Sequence, residues 1–187
     1  PQEPMSNLDP SFTIGHQLVE PMRETLGISA KEAKERALDL LAKVGLPDPA
    51  KTFRSYPHQV SGGQAQRVLI AGSIACEPDL IIADEPTTAL DVTVQAEILD
   101  LLRGLQKELG VAVLIVTHNF GVVADLCDRV SVMQTGRIVE TGPARSIFAD
   151  PQHPYTQSLF DAILEDGAAR GPLAHAADRH TGIGGAK

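Results

Sequence analysis

Val60-Ser61-Gly62-Gly63-Gln64-Ala65-Gln66-Arg67 decides how this chain is read. An apolar helical stretch, Val68 to Cys76, begins behind it, so the N–H groups of Ser61, Gly62 and Gly63 are expected to point outward from a helix N-terminus, where anions bind. The adjacent glycines remove Cβ atoms that would hold a phosphate off the backbone, and the Ser61 hydroxyl adds a donor. The helix leads into Leu80-Ile81-Ile82-Ala83-Asp84-Glu85-Pro86, an apolar run closed by two carboxylates. A buried parallel strand presents acids at its C-terminal edge in this way. Asp84 then suits a magnesium ion and Glu85 a water molecule.

Working outward, Pro86 ends the strand, Thr87-Thr88 make a turn, and Asp91 caps a long helix with Val94, Ile98, Leu101, Leu102, Leu105 and Leu109 at helical spacing. Gly110 stops it. Val111 to Val116 is continuously apolar and reads as a central strand buried on both faces. Strand, helix and strand in this order form a right-handed crossover in a parallel sheet, so the two strand ends lie side by side. Asp84, Glu85 and His118 are therefore expected at one edge. Taken singly, an acid pair after a strand is a capping device and a lone histidine a surface residue; sharing an edge is what makes them a site.

These stretches carry a family resemblance. Val60 to Gln64 resembles the signature motif of ATP-binding-cassette (ABC) ATPases, Leu80 to Glu85 their Walker B strand and catalytic glutamate, and Thr88 to Asp91 their D-loop. His118 resembles their switch histidine and Gln2 their Q-loop glutamine. The resemblance runs from Gln2 to about Phe160. It implies an α/β fold, a partial P-loop NTPase (RecA-like) core with parallel strands plus an α-helical subdomain. It further implies ATP and Mg2+ as cofactors, with Asp84 and Gln2 on the metal and Glu85 and His118 at the attacking water and terminal phosphate. Ser61, Gly62, Gly63 and Gln64 would close over ATP held by a second cassette, identical or not, and Asp91 would lie at that subunit contact. Transmembrane permease subunits, and indirectly an extracytoplasmic substrate-binding protein, are the other implied partners, which puts the chain peripherally at the cytoplasmic face of the membrane.

Composition narrows the classes. The chain has 187 residues, 43% of them hydrophobic, enough for one domain-sized core. A net charge of -8 and the absence of Trp argue against a nucleic-acid partner. No apolar run approaches the roughly twenty residues of a membrane-spanning helix. Cys76 and Cys127 are isolated in predicted helices, which fits a reduced cytosolic compartment. The phosphate-cradling pattern G-x-x-x-x-G-K-[ST] does not occur, and the chain does not begin with Met. The expectation is thus the C-terminal part of a longer cassette, inactive by itself.

The rest divides into three expected regions: 1–72 with the Q-loop, helical subdomain and signature, 73–150 with the second half of the ATPase core, and 151–187 with a C-terminal helix and a disordered tail. Gln2 to Pro10 reads as a loop, Phe12 to Leu26 as a helix weakened at Pro21, and Ser29-Ala30-Lys31-Glu32 as a capping box opening a helix that Gly45 ends, with Pro47 and Pro49 preventing resumption. Val130–Met133 and Arg137–Glu140 read as a hairpin. His153-Pro154-Tyr155-Thr156 resembles the tail of cassette subunits that energise import of di- and oligopeptides or nickel. Members of that subfamily often carry a cysteine-bearing extension beyond Leu164, which this tail lacks. His175 and His180 alone make a weak metal pair. The implied function is an ATPase subunit powering peptide import. A half-site that offers a signature without hydrolysing anything, and an ABC ATPase of DNA repair or chromosome organisation, remain alternatives.

Overall fold

The computed structural model describes residues 4–87 and 90–168, which fall into two compact units parted between Val122 and Val123. The first unit opens with a 3-10 turn, Pro4–Asn7, where the sequence reads as a loop. Helix α1 (Ile14–Leu26) follows, with Thr13 as N-cap and Gly27 closing it at φ +66°. It runs unbroken through Pro21, because Ile14, Leu18 and Met22 on its inner face are buried. Burial of each such side chain contributes about 1.5–3 kcal/mol, comparable with the cost of about 3 kcal/mol for an internal proline.

Helix α2 (Ala30–Lys43) starts where Ser29 accepts the Glu32 N–H at 3.2 Å, and stops at Val44 before Gly45, whose φ is +79°. Here the sequence reading needs correction. Helical structure resumes at once as α3 (Pro49–Arg54), with Asp48 accepting the Lys51 N–H at 2.9 Å. Proline in the first turn has no N–H to lose and a φ already helical, so Pro49 begins this helix instead of barring it. Helix α4 (Gly62–Ala75) closes the helical part, burying Ala65, Val68, Ala71 and Ile74 against α1 and α2.

Strand β1 (Leu80–Asp84), helix α5 (Val92–Leu109) and strand β2 (Ala112–Val116) form the expected crossover. The strands pair in parallel, Leu80 against Ala112 through to Asp84 against Val116. Ile81 joins the core built by α1, α2, α4 and α5, yet Leu80, Ile82, Leu114 and Val116 are all about half exposed or more. The expectation of strands buried on both faces is therefore not met among the described residues. Side chains alternate along a strand, and the core lies on one side of this sheet only. Helix α6 (Phe120–Leu126) begins behind β2 and crosses the boundary between the units.

In the second unit, β3 (Arg129–Gln134) and β4 (Arg137–Pro143) form the expected antiparallel hairpin, turning through Thr135 and Gly136 at φ +47° and +76°. Two left-handed residues match the twist of the flanking strands. Helices α7 (Ala144–Ala149) and α8 (Pro154–Ala168) complete it. His153-Pro154-Tyr155 has a local structural role. Glu140 accepts the N–H groups of Gln152 and His153 at 2.8 and 3.1 Å, and His153 Nδ1 accepts the Tyr155 N–H at 3.2 Å, which caps α8. The Thr156 hydroxyl first, and then the Gln152 amide, hold the Glu140 carboxyl below its ordinary pKa. The expected disordered tail, with His175 and His180, lies outside the described residues apart from Gly167 and Ala168 at the end of α8.

Candidate functional site

Parallel pairing brings the ends of β1 and β2 together, and with them Glu85 and His118. The Glu85 N–H donates to the Val116 carbonyl at 2.8 Å, extending the ladder one residue past β1. Its carboxylate Oε1 accepts the His118 N–H at 3.1 Å and lies 2.6 Å from His118 Nδ1. The Glu85 side chain is 14% exposed and that of His118 82%, so an enclosed acid holds an imidazole that faces outward. With Nδ1–H given to Glu85, Nε2 of a neutral ring is an acceptor. It donates, for example to a phosphate oxygen, only when the ring carries both protons.

The backbone at both residues is tightly determined. Glu85 has φ +49°, a left-handed conformation that costs a non-glycine residue about 1–3 kcal/mol and persists where its surroundings enforce it. The loop carrying His118 is held by local bonds: Asn119 donates its N–H to Thr117 Oγ1 at 3.1 Å, and its own Oδ1 accepts from Gly121 and Val122 at the start of α6. Asp84 is exposed at the last position of β1. The strand edge therefore joins the two acids and the histidine, as the crossover predicts.

At the N-terminus of α4, Ser61 Oγ accepts the Gln64 N–H at 3.3 Å while Gln64 Oε1 accepts the Ser61 N–H at 3.0 Å, a reciprocal capping box. The Ser61 proton is left to donate outward. The two glycines differ. A Cβ on Gly62 would meet nothing within 4 Å, so Gly62 leaves room for a ligand, whereas a Cβ on Gly63 would stand 3.1 Å from Val94 of α5. A side chain could be added at Gly62 without a clash, whereas Gly63 is also required by the packing of α4 on α5. Asp91 caps α5, accepting the N–H groups of Thr93 and Val94 at 3.1 and 3.0 Å. Gln2 and Thr88 lie outside the described residues.

Two residues next to the glycines carry contacts that sequence reasoning missed. Gln66, 4% exposed, donates through Nε2 to the Pro86 carbonyl at 2.8 Å. Arg67 donates to the Val44 carbonyl and to Glu97 Oε2, each at 2.6 Å, tying the end of α2 to α5. The available signal was polarity: both side chains stand directly before the apolar run Val68–Ala71 of α4. Cys127 is a different case. Burial first, and then Asp128, push its thiol up, so it is a poor nucleophile.

Comparison with known proteins bears directly on these features. The family profile for ABC transporters matches residues 1–88, and that for the oligopeptide/dipeptide transporter C-terminal region matches residues 139–182. The oligopeptide transport ATP-binding protein AmiE of Streptococcus pneumoniae is 50% identical over 172 residues, 92% of this chain and 48% of AmiE. The chain belongs to the ATP-binding-cassette family. Within that family its likeness is to proteins named for peptide transport. The dipeptide transport ATP-binding protein DppD of Escherichia coli is 49% identical over 164 residues, 88% of this chain and 50% of DppD. Among solved structures, the dimeric cassette MJ0796 in a post-hydrolysis state with ADP and Pi covers 74% of this chain, which covers 60% of that one, at 33% identity and a TM-score of 0.65. CbiO1 of Clostridium perfringens, part of the ABC transporter complex cbiONQ, covers 80% of this chain, which covers 57% of it, at 32% identity and a TM-score of 0.68. The α/β cassette fold is thereby shown. The chain spans about half the length of the curated relatives it matches. No helix among the described residues is long and apolar enough to cross a membrane.

Proposed function

We propose that the full-length protein is an ATPase subunit that powers import of peptides through a membrane permease. The single observation that carries this reading is the Glu85–His118 pair, 2.6 Å apart at the ends of adjacent parallel strands. Hydrolysis of a nucleoside triphosphate needs a positioned water and stabilisation of charge on the phosphate more than covalent chemistry. Glu85 orients the water or takes its proton, and His118 holds Glu85 through Nδ1 and, with both ring nitrogens protonated, donates to the terminal phosphate through Nε2. Asp84 fits magnesium through a bound water. No group of three or more His, Cys, Asp or Glu able to hold a metal occurs among the described residues. Magnesium keeps much of its hydration and is shared with phosphate, so few protein ligands are needed. When bound, magnesium supplies neutralisation of phosphate charge. Gln2 is the second proposed contact to the ion.

Ser61, Gly62, Gly63 and Gln64 present the α4 N-terminus to ATP bound by a second cassette, and Asp91 lies at that dimer contact. The differential affinity of ATP for the closed pair then drives the permease. Peptides are favoured as cargo by the C-terminal match at residues 139–182 and by relatives named for oligopeptide and dipeptide transport. The permease and a substrate-binding protein are its partners, with the ATPase at the cytoplasmic face of the membrane.

Two measurements test this. ATP hydrolysis by the full-length protein is expected to be lost in Glu85→Gln, and in Gly62→Asp, which puts bulk and negative charge where phosphate approaches. Normal hydrolysis by Glu85→Gln would refute the assignment. Cells lacking the gene should fail to take up labelled di- or oligopeptides; failure to take up nickel with peptide uptake intact would overturn the choice of cargo.

A further inference from the structure

Glu85 is followed at once by Pro86, whose carbonyl is the acceptor for the Gln66 amide at 2.8 Å. Proline fixes its own φ, so ψ is the one soft torsion left between its carbonyl and the peptide joining it to Glu85. Gln66 lies one turn into α4, the helix whose first turn carries Gly62 and Gly63. Glu85 is thereby held by the Val116 carbonyl at its N–H, by His118 at its carboxylate and, through Pro86, by Gln66.

The other end of the same side chain is informative. Gln66 Oε1 is buried and has no hydrogen-bond partner among the described residues. An unpaired buried carbonyl is costly, and an apolar side chain of similar length would fill the space without it. Packing does not explain a glutamine here. Its one donor bond, to the residue after Glu85, does.

We propose that Gln66 is a positioning residue for Glu85, linking the α4 N-terminus to the carboxylate at the end of β1. A shift of the first turn of α4, such as a phosphate at Gly62 would impose, is passed to the Pro86 carbonyl and so to the φ-strained Glu85. Gln66 is 4% exposed and acts through the Pro86 carbonyl. This inference rests on the reading of Glu85 as the group that acts on the attacking water.

The test compares full-length wild type, Gln66→Met, Gln66→Glu and Glu85→Gln in ATP hydrolysis, with thermal unfolding of each. Gln66→Met keeps length and removes the donor. It is expected to lower kcat by roughly ten-fold or more while KM for ATP stays within about two-fold. A folded Gln66→Met enzyme with wild-type kcat, or one in which KM alone changes, would overturn the proposal. Gln66→Glu gives an independent readout should Gln66→Met not fold. A buried carboxyl titrates above its ordinary range, and only its protonated form donates to Pro86. Its hydrolysis should recover as pH falls, moving the pH–rate curve toward acid, and a curve superimposable on wild type would overturn the proposal. Glu85→Gln separates the two ideas. If it hydrolyses ATP normally, the proposed function fails and the inference with it; if it is inactive while both Gln66 variants behave as wild type, only the inference fails.

Discussion

Replacing Arg67 by Met should loosen the tie between the helical part of the first unit and α5 by a calculable amount. The Arg67 side chain is 16% exposed and donates to the Val44 carbonyl, itself part of a fully buried residue. A hydrogen bond from a charged donor of this kind contributes about 1.5–3 kcal/mol. The second bond reaches Glu97, whose side chain is 55% exposed, and such a pair is worth about 0.2–1 kcal/mol after solvent screening. Methionine retains most of the aliphatic packing, so the expected loss is about 2–4 kcal/mol. For a chain of 187 residues each kcal/mol moves the midpoint by about 2–4 °C, giving a fall of roughly 4–16 °C in thermal unfolding of this chain followed by circular dichroism. Glu97→Gln removes only the exposed half and should move the midpoint by no more than about 4 °C. An Arg67→Met midpoint within about 2 °C of wild type, or a Glu97→Gln loss as large as that of Arg67→Met, would refute the reasoning.

Gly15→Ala should destabilise the packing of α1 on α3, because its Cβ would clash with the ring of Phe53. Overpacking costs about 1–3 kcal/mol and the better helix propensity of Ala returns about 1, so a net loss of up to about 2 kcal/mol is expected in denaturant unfolding. The loss should vanish against a Phe53→Ala background, and its persistence there would contradict the packing account. Glu140 has a folded-state pKa below its ordinary value, so its capping bonds stabilise α8 above that ordinary value and are lost as pH falls through the depressed one. NMR shifts of the Gln152 and His153 amides should therefore titrate with a midpoint under 4.5 and cease to do so in Glu140→Gln. A midpoint at or above 4.5 would oppose that sign.

The core of the site was legible because it rests on periodicity and chain order. A strand ending in Asp84-Glu85, a helix capped by Asp91 and a second strand before His118 can pair in few ways, and parallel pairing sets Glu85 beside His118. The capping box at Ser29 and Glu32 was likewise written in the sequence, whereas the one at Ser61 and Gln64 was not read there. What escaped depends on tertiary contact. For the apolar run Val111–Val116, Leu114 and Val116 stand half exposed among the described residues of a chain that spans about half the length of its relatives. Pro49 was read as a barrier because the residue that makes it a helix start, Asp48, acts through a side-chain bond to Lys51. That Gly63 also makes room for Val94, distant in sequence, could not be read from the motif alone. Gln66 and Arg67 were passed over for the same reason, since their acceptors, Pro86, Val44 and Glu97, are remote along the chain.

A double-mutant cycle in ATP hydrolysis by the full-length protein, built from Glu85→Gln, His118→Ala and the two combined, tests the paired site most directly. Groups that act as one unit are grossly non-additive, so the double variant should be no slower, within about two-fold, than the slower single one. Losses that multiply would mean that the acid and the imidazole act separately despite their contact, and the account of the site would be wrong.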